Sequence, residues 1–135
     1  MKKFRFVNEA ARRAYMALPD ELQQQFGVDL LAVQKGEAPI SPFKDISGSV
    51  GAGSIELIEN GSPAFRAVYC AKFEETVVVL HAFTKTAQGV DKPNMALAAK
   101  RYSIMEAEVN ARKVAAKKAA RNQPKKAPAK KAKKK

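Results

Sequence analysis

The positive charge of this 135-residue chain is confined to its C-terminal end. Residues 1–110 hold all 13 acidic residues and 13 of the 25 basic ones, so this part is formally neutral. Residues 111–135 contain the other 12 Lys and Arg and no acid, and therefore the whole net charge of +12. A segment of that composition cannot bury enough apolar surface to offset the entropy lost on ordering. We expect one folded domain over 1–110 and a Lys/Ala/Pro-rich basic tail over 111–135, helical at first and then disordered.

Several classes of protein are disfavoured by the same sequence. There is no run of about 18 apolar residues that could span a bilayer, and the first six residues lack the apolar stretch of a signal peptide. Cys70 is the only cysteine, and one Cys with one His is too few for the usual tetrahedral zinc site. We therefore expect a soluble cytoplasmic protein with no membrane partner, no disulfide, no metal and no cofactor.

The first third of the chain predicts a strand and two helices. Residues 4–7 are a short apolar alternation typical of a strand, and Asn8 offers a cap for a helix that ends before Pro19. A second helix begins at Pro19 and presents an apolar stripe of Leu22, Phe26, Leu30 and Val33. Gly36 ends this helix, and the Gly- and Pro-containing stretch 36–53 predicts a loop.

Three strands are expected next, over 54–58, 64–71 and 76–83. Asn60-Gly61 is a strong signal for a turn between the first two. If the second turn is a two-residue turn at Phe73 and Glu74, Arg66 lies directly across from His81, with Val68, Val79 and Phe83 on the same face.

A last helix opens at Asp91, with Met95, Ala98, Tyr102, Met105 and Val109 as its apolar stripe. The order strand-helix-helix-strand-strand-strand-helix predicts an α+β fold in which helices cover one face of an antiparallel sheet.

Several segments resemble the phage-derived branch of the RelE/ParE toxin superfamily, close to the HigB-like toxins. The resemblance spans roughly residues 4–108, in matching order and with similar gaps. The segments that carry it are Ala-Leu-Pro-Asp-Glu-Leu at 17–22, Leu-Ala-Val-Gln-Lys-Gly at 31–36, Pro-Phe-Lys-Asp-Ile at 42–46, Ile-Glu-Leu-Ile-Glu at 55–59, Phe-Arg-Ala-Val-Tyr at 65–69, Val-Leu-His-Ala-Phe-Thr-Lys at 79–85 and Gly-Val-Asp-Lys-Pro at 89–93.

The resemblance implies a RelE-like fold and the toxin of a type II toxin–antitoxin system. Such a toxin is a metal-independent endoribonuclease that cleaves messenger RNA on the ribosome and is silenced by an antitoxin, here expected to be a small helix-turn-helix protein. Two departures keep alternatives open, since Thr86 to Gln88 replace more basic residues and the tail lies outside the family's domain. The alternatives are a non-enzymatic nucleic-acid-binding protein of phage or prophage origin and a ParE-type gyrase inhibitor.

Four residues are candidates for catalysis. Arg66 lies among apolar strand residues and could stabilise a scissile phosphate, unless it is simply the exposed half of an alternating strand. His81 could transfer protons, or its ring nitrogens could be satisfied by backbone or by Glu56. Lys85 could position the RNA backbone or be a solvated loop residue. Tyr69 could stack on a nucleobase or donate the proton of its hydroxyl, or it could pack in the core.

The remaining candidates are basic residues expected to bind nucleic acid. Lys44 and Lys72 are suggested by family position and by nearness to strand ends. The tail should bind polyphosphate chains without reading sequence, because it has no aromatic residue to stack on bases. It would tether the domain to messenger RNA, the ribosome or DNA, unless it is only a solubilising extension. The tail residues assigned to this role are Lys113, Lys117, Lys118, Arg121, Lys125 and Lys126.

Overall fold

The computed structural model describes residues 1–86 and 88–122 of the chain. It is an α+β protein with three helices and one five-stranded sheet, as the sequence predicts, with one strand more than expected. The elements in chain order are β1 (Lys3–Phe6), α1 (Glu9–Met16), α2 (Asp20–Gln34), β2 (Phe43–Asp45), β3 (Ser54–Glu59), β4 (Ala64–Cys70), β5 (Thr76–Lys85) and α3 (Lys92–Asn122).

The helical hairpin is held by the end signals expected from the sequence. The side-chain oxygen of Asn8 accepts a hydrogen bond from the Ala11 backbone N–H at 2.9 Å, which satisfies a donor that the first turn of α1 leaves open. Asp20 and Glu21 stand in the first turn of α2, where negative charge suits the helix dipole. Gly36 follows α2 with φ of +84°, a conformation that favours glycine.

The sheet has the order β1-β5-β4-β3-β2 and is mixed rather than antiparallel. The three central pairings from β5 to β2 are antiparallel, whereas β1 runs parallel to β5 with Lys3 opposite Thr76. Parallel strands are not joined by a tight turn, so the sequence contains no local signal that predicts their pairing. Strand β2 was expected to be loop, because three residues are too few to show a periodic pattern.

Helices cover both faces of the sheet, which corrects the expectation of a single covered face. Strand β4 alternates between two buried clusters: Val68 and Cys70 pack towards α3, and Ala67 and Tyr69 pack towards α1 and α2. A strand that is apolar on both sides needs cover on both sides. We call these sides the α3 face and the hairpin face.

The register of β4 and β5 also differs from the prediction. Arg66 lies opposite Phe83, and His81 lies opposite Val68. The turn is longer than two residues, with positive φ at Glu74 and Glu75, and the pairing skips Leu80, a β-bulge between the Val68 and Tyr69 pairs. Each effect shifts the register by one residue, so Arg66 and His81 share a face but are not paired. The bulge also places Val79 on the hairpin face instead of beside Val68.

Candidate active site

Polar side chains cluster on one half of the α3 face because of the strand register. Lys44 lies opposite Glu56, Glu56 opposite Val68, and Val68 opposite His81, so these residues form one row across four strands. Arg66 stands in the next row, between Ile58 and Phe83. Directly paired residues point to the same side of a sheet. Hence two cations, a carboxylate and the histidine all face α3.

A cavity of about 370 Å³ lies between this row and the beginning of α3. It carries three cationic and two acidic side chains within an otherwise mostly apolar wall. Its lining residues are Lys44, Ile46, Ser49, Glu56, Ile58, Arg66, Lys85, Gly89, Val90, Asp91 and Met95. The volume and the excess of positive charge suit a ligand of about the size of one nucleotide.

Arg66 is the most constrained cation of the cavity. Its side chain is only 8% exposed, and its guanidinium donates to the backbone oxygens of Glu59 at 3.2 Å and Phe65 at 2.9 Å. A third hydrogen bond goes to the side-chain oxygen of Asn60 at 3.0 Å. All three acceptors are neutral, and no carboxylate of the described residues forms an ion pair with Arg66. The guanidinium is therefore fixed in direction while its charge stays available to an anion.

Glu56 also lines the cavity, although the sequence suggests it only as a partner for His81. It is half-buried on the cavity wall, and burial raises the pKa of its carboxyl, against the opposing effect of the positive charges of Arg66, Lys44 and Lys85. A carboxylate with a raised pKa is better suited to accept a proton. The β3–β4 register, with Ile58 opposite Arg66, puts Glu56 on the same face as Arg66, and strand alternation alone does not determine this register.

His81 does not line the cavity and has both ring nitrogens engaged. A guanidinium N–H of Arg101 donates to Nδ1 at 3.0 Å, so the ring proton is on Nε2, which donates to the side-chain oxygen of Asn94 at 2.7 Å. Burial lowers the pKa of His81, and the neighbouring charge of Arg101 lowers it further. The ring also stacks on Phe83 with centroids 5.2 Å apart. This geometry is that of a neutral structural histidine, and its partner is not Glu56.

The contacts of His81 continue to the cavity wall through the start of α3. The side-chain amide of Asn94 donates to Asp91 at 2.9 Å, and the Asn94 backbone N–H donates to the same carboxylate at 3.3 Å. Asp91 thereby caps α3 and contributes a carboxylate to the cavity. The sequence did not predict a role for Arg101, Asn94 or Asp91, because the periodicity of a helix identifies only its apolar stripe.

The other catalytic candidates lie in different places. Lys85 lines the cavity, and its ammonium donates to the backbone oxygen of Gly89 at 2.5 Å, which holds the loop after β5. Tyr69 is 4% exposed on the hairpin face, on the side of the sheet away from the cavity. Burial and the charge of Asp29 raise the pKa of Tyr69 to about 12. The fold therefore brings Arg66 and Lys85 together and leaves Tyr69 in the core.

The basic residues expected to bind nucleic acid separate into four groups. Lys44 lines the cavity, whereas the Lys72 ammonium lies 5.5 Å from the ring centroid of Phe73 at the β4–β5 turn. Four tail cations stand exposed on α3, and two lie outside the described residues. The exposed ones are Lys113, Lys117, Lys118 and Arg121, and the others are Lys125 and Lys126.

The described part of the chain contains no helix that is long and apolar enough to cross a membrane. Within residues 1–86 and 88–122, no three His, Cys, Asp or Glu side chains are grouped to hold a metal ion.

No curated protein matches the sequence. The family model "Phage derived protein Gp49-like (DUF891)" matches residues 14–103, which is two thirds of the chain. The match begins within α1, includes β2 to β5 and ends within α3, so it contains every residue that lines the cavity. The chain therefore belongs to the phage-derived Gp49-like family.

Proposed function

We propose that this chain is the toxin of a toxin–antitoxin pair and an endoribonuclease that cleaves messenger RNA at the ribosome without a metal ion. The observation that carries the proposal is the cavity on the α3 face. The cavity is lined by an arginine that forms no ion pair with a carboxylate of the described residues, by a half-buried carboxylate of raised pKa and by two lysines. These are the groups that cleavage of RNA by its own 2′-hydroxyl requires.

In the proposed reaction, Glu56 takes the proton of the 2′-hydroxyl, and the freed oxygen attacks the adjacent phosphorus. The bond from phosphorus to the 5′-oxygen then breaks, which leaves a 2′,3′-cyclic phosphate and a 5′-oxygen that takes up a proton. The ammonium of Lys85 can supply that proton from the cavity wall. Because Glu56 acts as a base only when ionised, its raised pKa moves the carboxyl towards the pH at which it operates.

Arg66 supplies the positive charge that the pentavalent phosphate requires. Its hydrogen bonds to Glu59, Phe65 and Asn60 use three N–H donors and leave the remaining donors for phosphate oxygens. Because the guanidinium is already held in place, little reorganisation is needed as negative charge develops. Lys44, on the edge strand, is placed to hold a neighbouring phosphate.

The proposed partners follow from the toxin assignment. A small helix-turn-helix antitoxin, encoded beside this gene, would bind the domain and silence it. The basic tail would keep the domain close to messenger RNA, the ribosome or DNA through contacts that do not depend on sequence.

A second candidate is a nucleic-acid-binding protein without enzymatic activity. It is favoured by His81, which is engaged on both ring nitrogens and leaves the cavity without an imidazole. A gyrase inhibitor, which needs no catalytic residue, is the third possibility.

Induced expression in bacterial cells separates these functions. Early loss of intact messenger RNA, with new 5′-hydroxyl ends inside coding regions, is the result expected of the nuclease. DNA-damage signalling before any loss of RNA would indicate a gyrase inhibitor, and neither response would indicate the binding protein. Either of the last two results would contradict the proposed function.

A further inference from the structure

The last helix continues well beyond the folded body. Val109 is the last buried residue of α3, and every residue from Asn110 to Arg121 is exposed. Glu108 is the last acidic residue in the entire chain. The exposed part of α3 thus carries cations and no carboxylate of its own.

Four of the five cations of this exposed segment lie on one side of the helix, and the fifth, Arg112, lies outside that side. An α-helix turns by about 100° per residue, so Lys113, Lys117, Lys118 and Arg121 fall within an arc of about 140°. The rest of the circumference is occupied mainly by alanines at positions 111, 115, 116, 119 and 120. We call the four cations the basic face. A helix that served only for solubility would have no reason to segregate its charges.

The β4–β5 turn fixes the direction in which the basic face leaves the body. The guanidinium of Arg112 forms two hydrogen bonds with the carboxylate of Glu74, at 2.8 and 2.6 Å. The ammonium of Lys113 lies 5.9 Å from the ring centroid of Phe73, which in turn packs edge-on against Tyr102 at 6.4 Å. Contacts on two sides of the helix hold it at the point where it becomes exposed, so the basic face has a set position relative to the cavity.

We propose that the basic face binds the phosphate backbone of the same RNA strand whose cleaved nucleotide occupies the cavity. This inference rests on the proposed function, because it takes the cavity ligand to be RNA. Asp91, which caps α3 at the cavity wall, and Lys113 within α3 are separated by about 33 Å along the helix axis, at 1.5 Å per residue. At about 3.4 Å per stacked nucleotide, a strand must extend some ten nucleotides from the cavity to reach the face.

The chemistry of the face selects nucleic acid over a lipid surface. A helix that lies on a membrane pairs its cations with large apolar residues on the opposite side, and here that side carries alanine. The four cations follow the helix over about 12 Å, which matches a run of successive phosphates. No aromatic side chain occurs from Arg112 to Arg121, so the contact does not select sequence.

The test measures binding of RNA by the full chain at several salt concentrations, with strands of three and of about twenty-five nucleotides, the longer exceeding the distance derived above. One variant removes three cations of the face (Lys117→Gln, Lys118→Gln, Arg121→Gln). A matched variant removes three cations beyond it (Lys130→Gln, Lys131→Gln, Lys133→Gln). A third, Ala115→Pro, interrupts the helix beyond Val109 and keeps every charge.

The proposal predicts that the face variant loses affinity for the long strand only. For single strands, the logarithm of the binding constant falls by about 0.7 per phosphate contact for each tenfold rise in salt. Three contacts therefore account for a loss of about 20-fold in affinity between 50 and 200 mM salt, and the face variant should lack this part of the salt dependence. Ala115→Pro should lose most of the same component, and the matched variant should lose less than the face variant. Equal losses in the two triple variants, or binding by Ala115→Pro equal to that of the natural chain, would overturn the proposal. This test measures RNA binding and does not depend on cleavage. Failure of the proposed function would appear as absence of messenger RNA cleavage on induction, whereas failure of this proposal would appear as equal RNA binding by the variants.

Discussion

The two faces of the sheet are built from the same strands but are covered in different ways. On the hairpin face, α1 and α2 close over a continuous apolar cluster that contains Leu57, Tyr69 and Val79. On the α3 face, the apolar cluster of Val68, Cys70 and Leu80 lies mainly under the later turns of α3, and Met95 of the first turn is only partly buried against it. Beside it, under the first turn of that helix, lie the charged residues of the cavity.

The difference explains why the cavity lies on the α3 face. One helix cannot cover a five-stranded sheet that two helices cover on the other side. Helix α3 packs along part of its face, and its first turn is held by the contacts from Arg101 through His81 and Asn94 to Asp91. Stability is thus concentrated on the hairpin face and under α3, and the cavity occupies the surface that remains.

The largest effect is expected for Glu56→Gln, which changes the α3 face alone. The amide keeps the shape of the side chain but cannot accept a proton, so we expect the rate of RNA cleavage to fall by about 10²–10⁴-fold. Because Glu56 is half-buried with a raised pKa, removal of its charge should leave the melting temperature unchanged or slightly higher. Cleavage by the variant at the natural rate would remove Glu56 from the mechanism.

Leu57→Ala probes the hairpin face at the next residue of the same strand. Leu57 is fully buried, so its truncation should lower the free energy of unfolding by about 2–5 kcal/mol. Urea denaturation measures this change. The cleavage rate per folded molecule should stay near that of the natural chain at a temperature where the variant is folded. A large loss of activity in the folded variant would show that the two faces are not independent.

A smaller effect is expected from pH, acting through His81. Its pKa is lowered in the folded protein, so below about pH 6.5 the unfolded chain binds a proton that the folded protein resists. The contribution of His81 to stability is therefore complete above that pH and is lost as the pH falls, by at most about 1.4 kcal/mol per pH unit. His81→Gln should have a shallower decrease in stability between about pH 7 and pH 5. Equal slopes in the two proteins would show that His81 is not held neutral.

Much of the fold could be predicted from the sequence because local signals specify it. The cap at Asn8, the stop at Gly36 and the stripe from Met95 to Val109 each depend on residues close together in the chain, and each is present in the structure. Strand β2 and the parallel pairing of β1 were not predictable, because one is very short and the other joins segments about 70 residues apart.

The site was harder to predict than the fold because it depends on register. Arg66 and Lys85 were predicted from their chemistry, and Lys44 from family position and nearness to a strand end, and all three line the cavity. Glu56 and Asp91 were missed, since a carboxylate in a strand or at a helix start usually has a structural explanation. Tyr69, a catalytic candidate from the sequence, does not share the cavity with Arg66, because strand alternation sends residues 66 and 69 to opposite faces.

The most direct test of the central claim, that the α3 face holds a phosphate-stabilising arginine, compares Arg66→Gln with Tyr69→Phe. The glutamine amide keeps a hydrogen-bond donor near the carbonyl oxygens that Arg66 contacts but has no charge, and Tyr69→Phe removes one polar group from the hairpin face. Thermal melting establishes that both variants are folded, and mapping of RNA 5′ ends after induction measures cleavage. We expect Arg66→Gln to lose about 10²–10³-fold in cleavage rate and Tyr69→Phe to stay near the natural rate. Undiminished cleavage by folded Arg66→Gln, or a comparable loss in both variants, would contradict this assignment.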